Sequence, residues 1–158
     1  MGMKLTSAAD YAVRAMIHLA CKPEGDFVLR TDIAEAQRIP TSFMAKILRS
    51  LVRGGLLRSS RGVNGGFALS RPAAEINMLD VVEAIEGPLA LTDCTPHGRS
   101  CTWYHECPAS LVWCRLQDTM REMLRAVTLE DLVSTPRRNG RVTITEHGAE
   151  AQSQISPS

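Results

Sequence analysis

The sequence predicts a mainly α-helical fold with one small β-hairpin and a long helix behind it. Three patterns carry that expectation. Apolar residues recur at helical intervals through the N-terminal third, a strand, glycine loop and strand follow around Arg61 to Leu69, and a second helical periodicity runs from about Pro108 to Ala126. At 158 residues the chain supports one domain of ordinary size with an appended element, not two independent cores. Lys and Arg total 18 against 17 Asp and Glu, so the net charge of +1 names no partner. No basic and apolar leader reads as a signal peptide, and no apolar run reaches the roughly 18 residues that a membrane-spanning helix needs. The expectation is a cytoplasmic protein with no membrane contact, whose five cysteines stay reduced.

The first helix is predicted to begin after Thr6 or Ser7, since Ser7 and Asp10 have capping-box spacing and Ala8, Ala12, Ala15, Met16 and Leu19 recur helically. It should end near Pro23 and Gly25. A short second helix fits Thr31 to Gln37, with Thr31 as cap and Ile33 and Ala34 inward. Pro40 favours a helix start, and Thr41 or Ser42 can cap a third helix whose buried stripe is Phe43, Met44, Ile47, Leu48 and Leu51. Gly54 and Gly55 stop it. Two helices joined by a few residues, the second carrying Lys46, Arg49 and Arg53 off its apolar stripe, form a helix-turn-helix pattern.

Leu56, Leu57 and Arg58 lead into the loop Arg61-Gly62-Val63-Asn64-Gly65-Gly66, and Phe67, Ala68 and Leu69 lead out. Asn64-Gly65 favours a hairpin turn, and the glycines keep the tip small. With Arg61 on its rising side the hairpin resembles the wing of a winged helix, able to reach a minor groove or its phosphates. A tight turn alone accounts for Gly62, Gly65 and Gly66, so any functional load falls on Arg61 and Asn64. A nucleotide phosphate loop is excluded, because no Lys and hydroxyl pair follows the glycines. Asn77 to Ile85 reads as another helix, capped by Asn77 with Asp80 three residues on, and ended by Gly87-Pro88.

Charge segregates along the chain. From Ala36 to Ala74 the charged residues are Arg38, Lys46, Arg49, Arg53, Arg58, Arg61 and Arg71, all basic; Glu75, Asp80, Glu83, Glu86 and Asp93 follow with no Lys or Arg among them. Such a stretch can present a positive face to double-stranded DNA while the molecule stays near neutral; a merely solvated surface is the plain alternative. Thr41 and Ser42 in the first turn of the third helix are placed for base edges. Lys46 and Arg49 serve bases or phosphates, and Arg61 and Asn64 serve the wing.

Cys21 stands alone, whereas Cys94, Cys101, Cys107 and Cys114 crowd into one region. Their odd total fits no disulfide framework, and the tight C-x2-4-C pairs of zinc sites are missing. Widely spaced thiolates on one loop suit the larger body of an iron–sulfur cluster. His97 and His105 are further donors, and buried structural cysteines are the bland reading. Beyond the loop, Trp113, Leu116, Met120, Met123, Leu124 and Val127 make an apolar stripe that either pairs with a second copy into a homodimer or packs back on its own domain. From Pro136 onward, beginning with the basic Arg137, Arg138 and Arg141, core residues are few and a disordered tail is expected. The chain divides into a DNA-binding domain at 1–88, a cysteine loop at 89–107, a dimerisation helix with its closing segment at 108–134, and a tail at 135–158.

Several motifs match together: Lys4-Leu5-Thr6 with Asp10-Tyr11-Ala12-Val13-Arg14, then Ile47-Leu48, Leu51 and Gly54-Gly55-Leu56-Leu57, the wing Arg61 to Leu69, Cys94, Cys101, Cys107 with Trp113, and Thr128-Leu129-Glu130-Asp131-Leu132. In combination, over Met3 to Ser134, they resemble the IscR/NsrR-type family of bacterial winged-helix iron–sulfur transcriptional regulators. The resemblance implies a homodimer on partly palindromic operators. It also implies a [2Fe–2S] or [4Fe–4S] cluster on Cys94, Cys101 and Cys107 that reports nitric oxide, oxygen, redox state or iron–sulfur supply. The family's first two cysteines are one residue closer than Cys94 and Cys101, and a histidine that ligates in some members is here Ser110. In the nitric-oxide-sensing members an aspartate of the opposite subunit's first helix ligates, and Asp10 corresponds to it. The fourth ligand is therefore Asp10, Cys114, His97, His105 or none. Some members carry a glutamate where Ala45 stands, and its cytosine preference is not expected here.

Two other classes are distinguishable. A cluster-free winged-helix regulator would answer to a metabolite or to thiol oxidation. A small iron–sulfur electron-transfer or cluster-transfer protein is opposed by the lack of a C-x2-C-x2-C run and by the acid-free basic stretch. A thiol enzyme lacks a third group to orient Cys107 and His105.

Overall fold

A computed structural model describes residues 6–62, 65–96 and 101–135. The order is α1 (Ser7–Ala20), α2 (Arg30–Gln37), α3 (Thr41–Arg53), β1 (Leu57–Ser60), β2 (Gly66–Leu69), a 3-10 turn (Ala73–Glu75), α4 (Met78–Glu86), α5 (Ser110–Ala126) and α6 (Leu129–Ser134). The expected class, mainly helical with a hairpin wing and a long C-terminal helix, is what the chain adopts.

Small residues set the packing of α1. Ala12 and Ala15 are fully buried beside Met16, and their short side chains let α1 lie against α4, α2 and α3. Met44, Leu48 and Leu51 of α3 fill the centre with Ile33, Ile76 and Leu129. Phe43 is only half-buried and sets its ring edge-on to Tyr11, with centroids 5.7 Å apart.

α1 starts after Thr6, one of the two expected positions, whereas the caps of α2 and α3 differ from the sequence reading. Thr6, not Ser7, caps α1 by accepting the Ala9 N–H at 3.4 Å, so Asp10 lies beyond the capping position. Thr6 also donates from its backbone and hydroxyl to Glu86, which ties the start of α1 to the end of α4. α2 begins at Arg30 with Leu29 as an N-cap that offers no side-chain bond, and Pro40 takes that place for α3. Thr31, Thr41 and Ser42 are helical residues rather than caps. Both hydroxyls at the start of α3 therefore remain outside the helix's own hydrogen bonding.

Residues 38–40 make the turn between α2 and α3. Arg38 takes the left-handed conformation, φ 55° and ψ 46°, which lets the Ile39 N–H return to the Ala34 carbonyl at 2.9 Å and buries Ile39. A non-glycine residue there costs about 1 kcal/mol. Arg14 offsets it from outside, its guanidinium donating to the Gln37 carbonyl while lying 5.6 Å from the Tyr11 ring centroid.

β1 and β2 pair antiparallel from Leu57 opposite Leu69 to Ser60 opposite Gly66. Val28, before α2, joins the other side of β2 through reciprocal bonds with Phe67 at 3.0 and 2.9 Å. This approach requires Gly66: at φ 152°, a Cβ on it would stand 2.4 Å from the Val28 carbonyl oxygen. The glycine thus serves close backbone packing. Val63 and Asn64 lie outside the described residues, so the Asn64-Gly65 turn is not part of the described wing.

Asn77 and Asp80 form the expected capping box on α4, and Asp80 also pairs with Arg71 at 3.0 Å. Gly87 closes the helix at φ 81°. The apolar stripe of α5 divides between two faces. Met120 and Leu124 pack on Leu79, Val82 and Leu89, whereas Trp113, Leu116 and Met123 are exposed. Arg121 pairs with Glu83 across that contact. After α5 the chain returns to the first core: Met78 N–H bonds Val127 O and Leu129 N–H bonds Ile76 O, both at 2.9 Å, and α6 packs on α1. His97 and the tail from Pro136 lie outside the described residues.

Candidate DNA interface and cysteine loop

The apolar face of α3 is committed to the core, which fixes what the opposite face presents. Thr41, Ser42, Lys46, Arg49 and Arg53 are all exposed there. Arg61 is exposed at the end of β1 and continues the basic surface onto the wing. Between them lies a shallow hollow of about 230 Å³ lined by Arg30, Ala45, Arg49, Val52, Ser59 and Phe67. Arg30 and Ser59 were missed in the sequence reading. Arg30 precedes the acid-free stretch by a few residues, and only the docking of α2 beside α3 reveals that it shares a hollow with Arg49. Arg58 lies 5.2 Å from the Phe27 ring centroid, at the edge of the same wing.

A helix whose first turn carries free hydroxyls and whose next turns carry cations suits a major groove: short side chains meet base edges and long ones reach phosphates. Arg61→Ala should lower operator affinity by about 1–3 kcal/mol if it contacts a groove base, whereas loss of a phosphate contact should reduce the salt slope and leave sequence preference intact. Operator titrations at several salt concentrations separate the two. Unchanged affinity in both Arg61→Ala and Arg49→Ala would rule out this docking.

All the cysteines are free thiols; Cys94, Cys101, Cys107 and Cys114 are half-buried and Cys21 is exposed at the end of α1. Cys94 sits in a turn with its Sγ 2.9 Å from the Thr92 hydroxyl. Cys107 lies just ahead of α5, where its carbonyl accepts the Ser110 N–H at 3.1 Å and the Ser110 hydroxyl at 2.8 Å. Ser110, the first residue of α5, is buried with its hydroxyl on that carbonyl. The Tyr104 N–H meets the Cys101 carbonyl at 3.3 Å, and Tyr104 packs edge-on to His105. Among the described residues, no three His, Cys, Asp or Glu side chains converge as for a metal ion. Asp10 is two-thirds exposed and makes a long ion pair with Arg14 at 3.8 Å.

The helix-turn-helix, its anchored wing and the basic face between them define a winged-helix transcriptional regulator. The chain belongs to the Rrf2 family of iron-dependent transcriptional regulators, whose family model matches residues 5–135. A Mycobacterium tuberculosis protein named as an HTH-type transcriptional regulator is 40% identical over 136 residues, covering 82% of this chain and 81% of its own. Among solved structures, CymR, the global cysteine regulator of B. subtilis, is similar with a TM-score of 0.71 and 28% identity, covering 84% of this chain and 98% of that one. T. potens IscR is similar with a TM-score of 0.70 and 25% identity, covering 92% and 96%. These relatives are regulators, not enzymes, and membership in their family implies DNA binding. Among the described residues no helix is long and apolar enough to cross a membrane.

Proposed function

We propose that the chain is a homodimeric regulator whose affinity for double-stranded operators is set by an iron–sulfur cluster on Cys94, Cys101 and Cys107. The observation that carries this reading is the placement of three free, half-buried thiols between α4 and α5. Soft sulfur donors on adaptable backbone fit such a group, although binding must draw them closer than they stand. The cluster, when bound, supplies iron reactive toward diatomic gases and oxidants. Glu83 fastens the base of the loop to the DNA-binding unit by accepting the Leu89 N–H at 3.1 Å while it pairs with Arg121 of α5. Asp10 of the second copy is the proposed fourth donor. Its exposed carboxylate is harder than a thiolate, and its place on α1 connects one chain's loop to the other chain's helix-turn-helix. The exposed face of α5, with Trp113, Leu116 and Met123, is the proposed dimer contact.

Anaerobic reconstitution with iron and sulfide counting, followed by operator titration with and without the cluster, tests the reading. Wild type should retain a cluster, and alanine at any of the three cysteines should abolish it. Asp10→Ala should keep a cluster with an altered spectrum and faster loss. A coupling of about 1–3 kcal/mol changes operator affinity roughly 5- to 150-fold between the two forms. Wild type that retains neither iron nor sulfide, or equal affinity in both forms, ends the proposal. Similarity to the cysteine regulator CymR favours a second reading, a cluster-free regulator that answers to a metabolite or to thiol oxidation.

A further inference from the structure

One side chain staples the turn that carries Cys94 to α5. Gln117 is completely buried; its Oε1 accepts the Leu91 N–H at 2.9 Å and its Nε2 donates to the Pro96 carbonyl at 2.9 Å. Within this staple Thr95, also buried, closes the turn by donating to the Thr92 carbonyl from its N–H at 3.1 Å and its hydroxyl at 2.8 Å. An apolar residue in place of Gln117 would remove both bonds that hold the two ends of this turn, so the amide fixes where the turn sits. One helical turn before Gln117, Cys114 faces the same way. Its thiol donates to the Cys94 carbonyl oxygen with Sγ 3.6 Å away.

We propose that Cys94 and Cys114 are a redox-active thiol pair that closes to a disulfide under peroxide. Covalent geometry puts the Cys114 sulfur within about 6 Å of the Cys94 Cα. A disulfide spans about 4.4–6.8 Å between Cα atoms, so closure needs rotation of the Cys94 side chain away from Thr92 and a small shift of a turn that has no ladder to break. Cys107 is a poorer rival: it lies ahead of α5, seven residues before Cys114, and its polar contacts run from its backbone to Trp103 and Ser110. The chemistry balances with hydrogen peroxide as oxidant. One thiol is oxidised to a sulfenic acid and one water leaves. The second sulfur then forms the S–S bond, displacing the hydroxyl, which departs with the second thiol's proton as another water. Two electrons pass from the sulfurs to the peroxide oxygens. The disulfide removes Cys94 from the proposed cluster donors, and thiol reductants cleave it and restore both thiols. The inference shares Cys94 with the cluster reading and otherwise rests on the metal-free chain.

The test treats the reduced, metal-free full chain with one equivalent of hydrogen peroxide and maps its peptides after trypsin and chymotrypsin. Cleavage after Arg99 and Trp113 separates Cys94 and Cys114 from Cys101 and Cys107. The expected product is lighter by two hydrogens, joins the Cys94 and Cys114 peptides, and reverts with dithiothreitol. Gln117→Met, with its folding checked by thermal melt, should close the bond at least about tenfold more slowly, because loosening the turn lowers the effective concentration of one sulfur at the other. Cys114→Ser should form no such crosslink and should reconstitute a cluster with the wild-type spectrum. A main product through Cys101 or Cys107, or Cys94 over-oxidised while Cys114 stays reduced, overturns the pair. An altered cluster spectrum in Cys114→Ser makes Cys114 a ligand, which overturns the pair and leaves the cluster reading standing. A wild-type chain that forms the crosslink but takes up no cluster supports the pair and removes the cluster reading.

Discussion

Leu48→Ala should destabilise the chain by about 2–5 kcal/mol, a large part of the roughly 5–15 kcal/mol that holds a domain of this size. Leu48 is fully buried at the centre of α3, in the core shared with α1 and with Leu51, Ile33 and Ile76. Truncation removes its transfer energy and leaves a cavity that three helices must collapse to fill. Lys46, two residues earlier on the same helix, is exposed, so Lys46→Ala should change stability by no more than about 0.5 kcal/mol. The two variants should therefore behave oppositely. Urea or thermal unfolding should detect Leu48→Ala strongly and Lys46→Ala hardly at all, while operator titration of the still-folded proteins should detect Lys46→Ala. A Leu48→Ala protein that melts with the wild type would mean that α3 is not seated in this core.

The elements were legible in the sequence because periodicity and punctuation agreed. Met44, Ile47, Leu48 and Leu51 recur on one face and Gly54 follows them; Asn77 and Asp80 have capping-box spacing and form the box. Caps were read less well. Ser7, Thr31, Thr41 and Ser42 are all of the type that caps helices, and each lies inside one. A hydroxyl residue marks the neighbourhood of a helix start, but backbone dihedrals decide which residue stands outside, and Pro40 and Leu29 took non-helical dihedrals there. The left-handed Arg38 had no signal at all, since its conformation is enforced by Ile39 entering the core and by Arg14 from another helix.

At the candidate sites, residue types were legible and relationships were not. The acid-free run pointed to Lys46, Arg49 and Arg61 because local sequence places them on one helix and one hairpin. Arg30 joined them only through the packing of α2 on α3. Cysteine spacing named a loop, yet it gave no hint that Gln117 and Cys114, on a helix distant in sequence from Cys94, hold the turn from the far side. Long-range polar contacts of this kind leave no period in a sequence.

Leu116→Asp should convert the proposed dimer to a monomer and lower operator affinity roughly 10²- to 10⁴-fold, the advantage that two linked half-site contacts have over one. Val112, Leu116 and Met123 are 64%, 45% and 68% exposed, and their spacing of four and then seven residues puts them on one stripe of α5. A lone soluble chain gains nothing by showing water such a stripe beside Trp113, whereas a second copy of α5 would cover it. The carboxylate of Leu116→Asp would meet its own mate across a two-fold contact, so two charges would be buried without partners. Since Leu116 is exposed and takes no part in the packing of Met120 and Leu124 on Leu79, Val82 and Leu89, the monomer should keep its helical content. Leu124→Asp provides the contrast: it puts a charge against Leu79, Val82 and Leu89 and should unfold the α4–α5 contact within one chain. Sedimentation velocity and circular dichroism on the two variants distinguish dissociation from unfolding. A Leu116→Asp chain that still sediments as a dimer and binds its operator normally would place the dimer contact elsewhere than this face of α5.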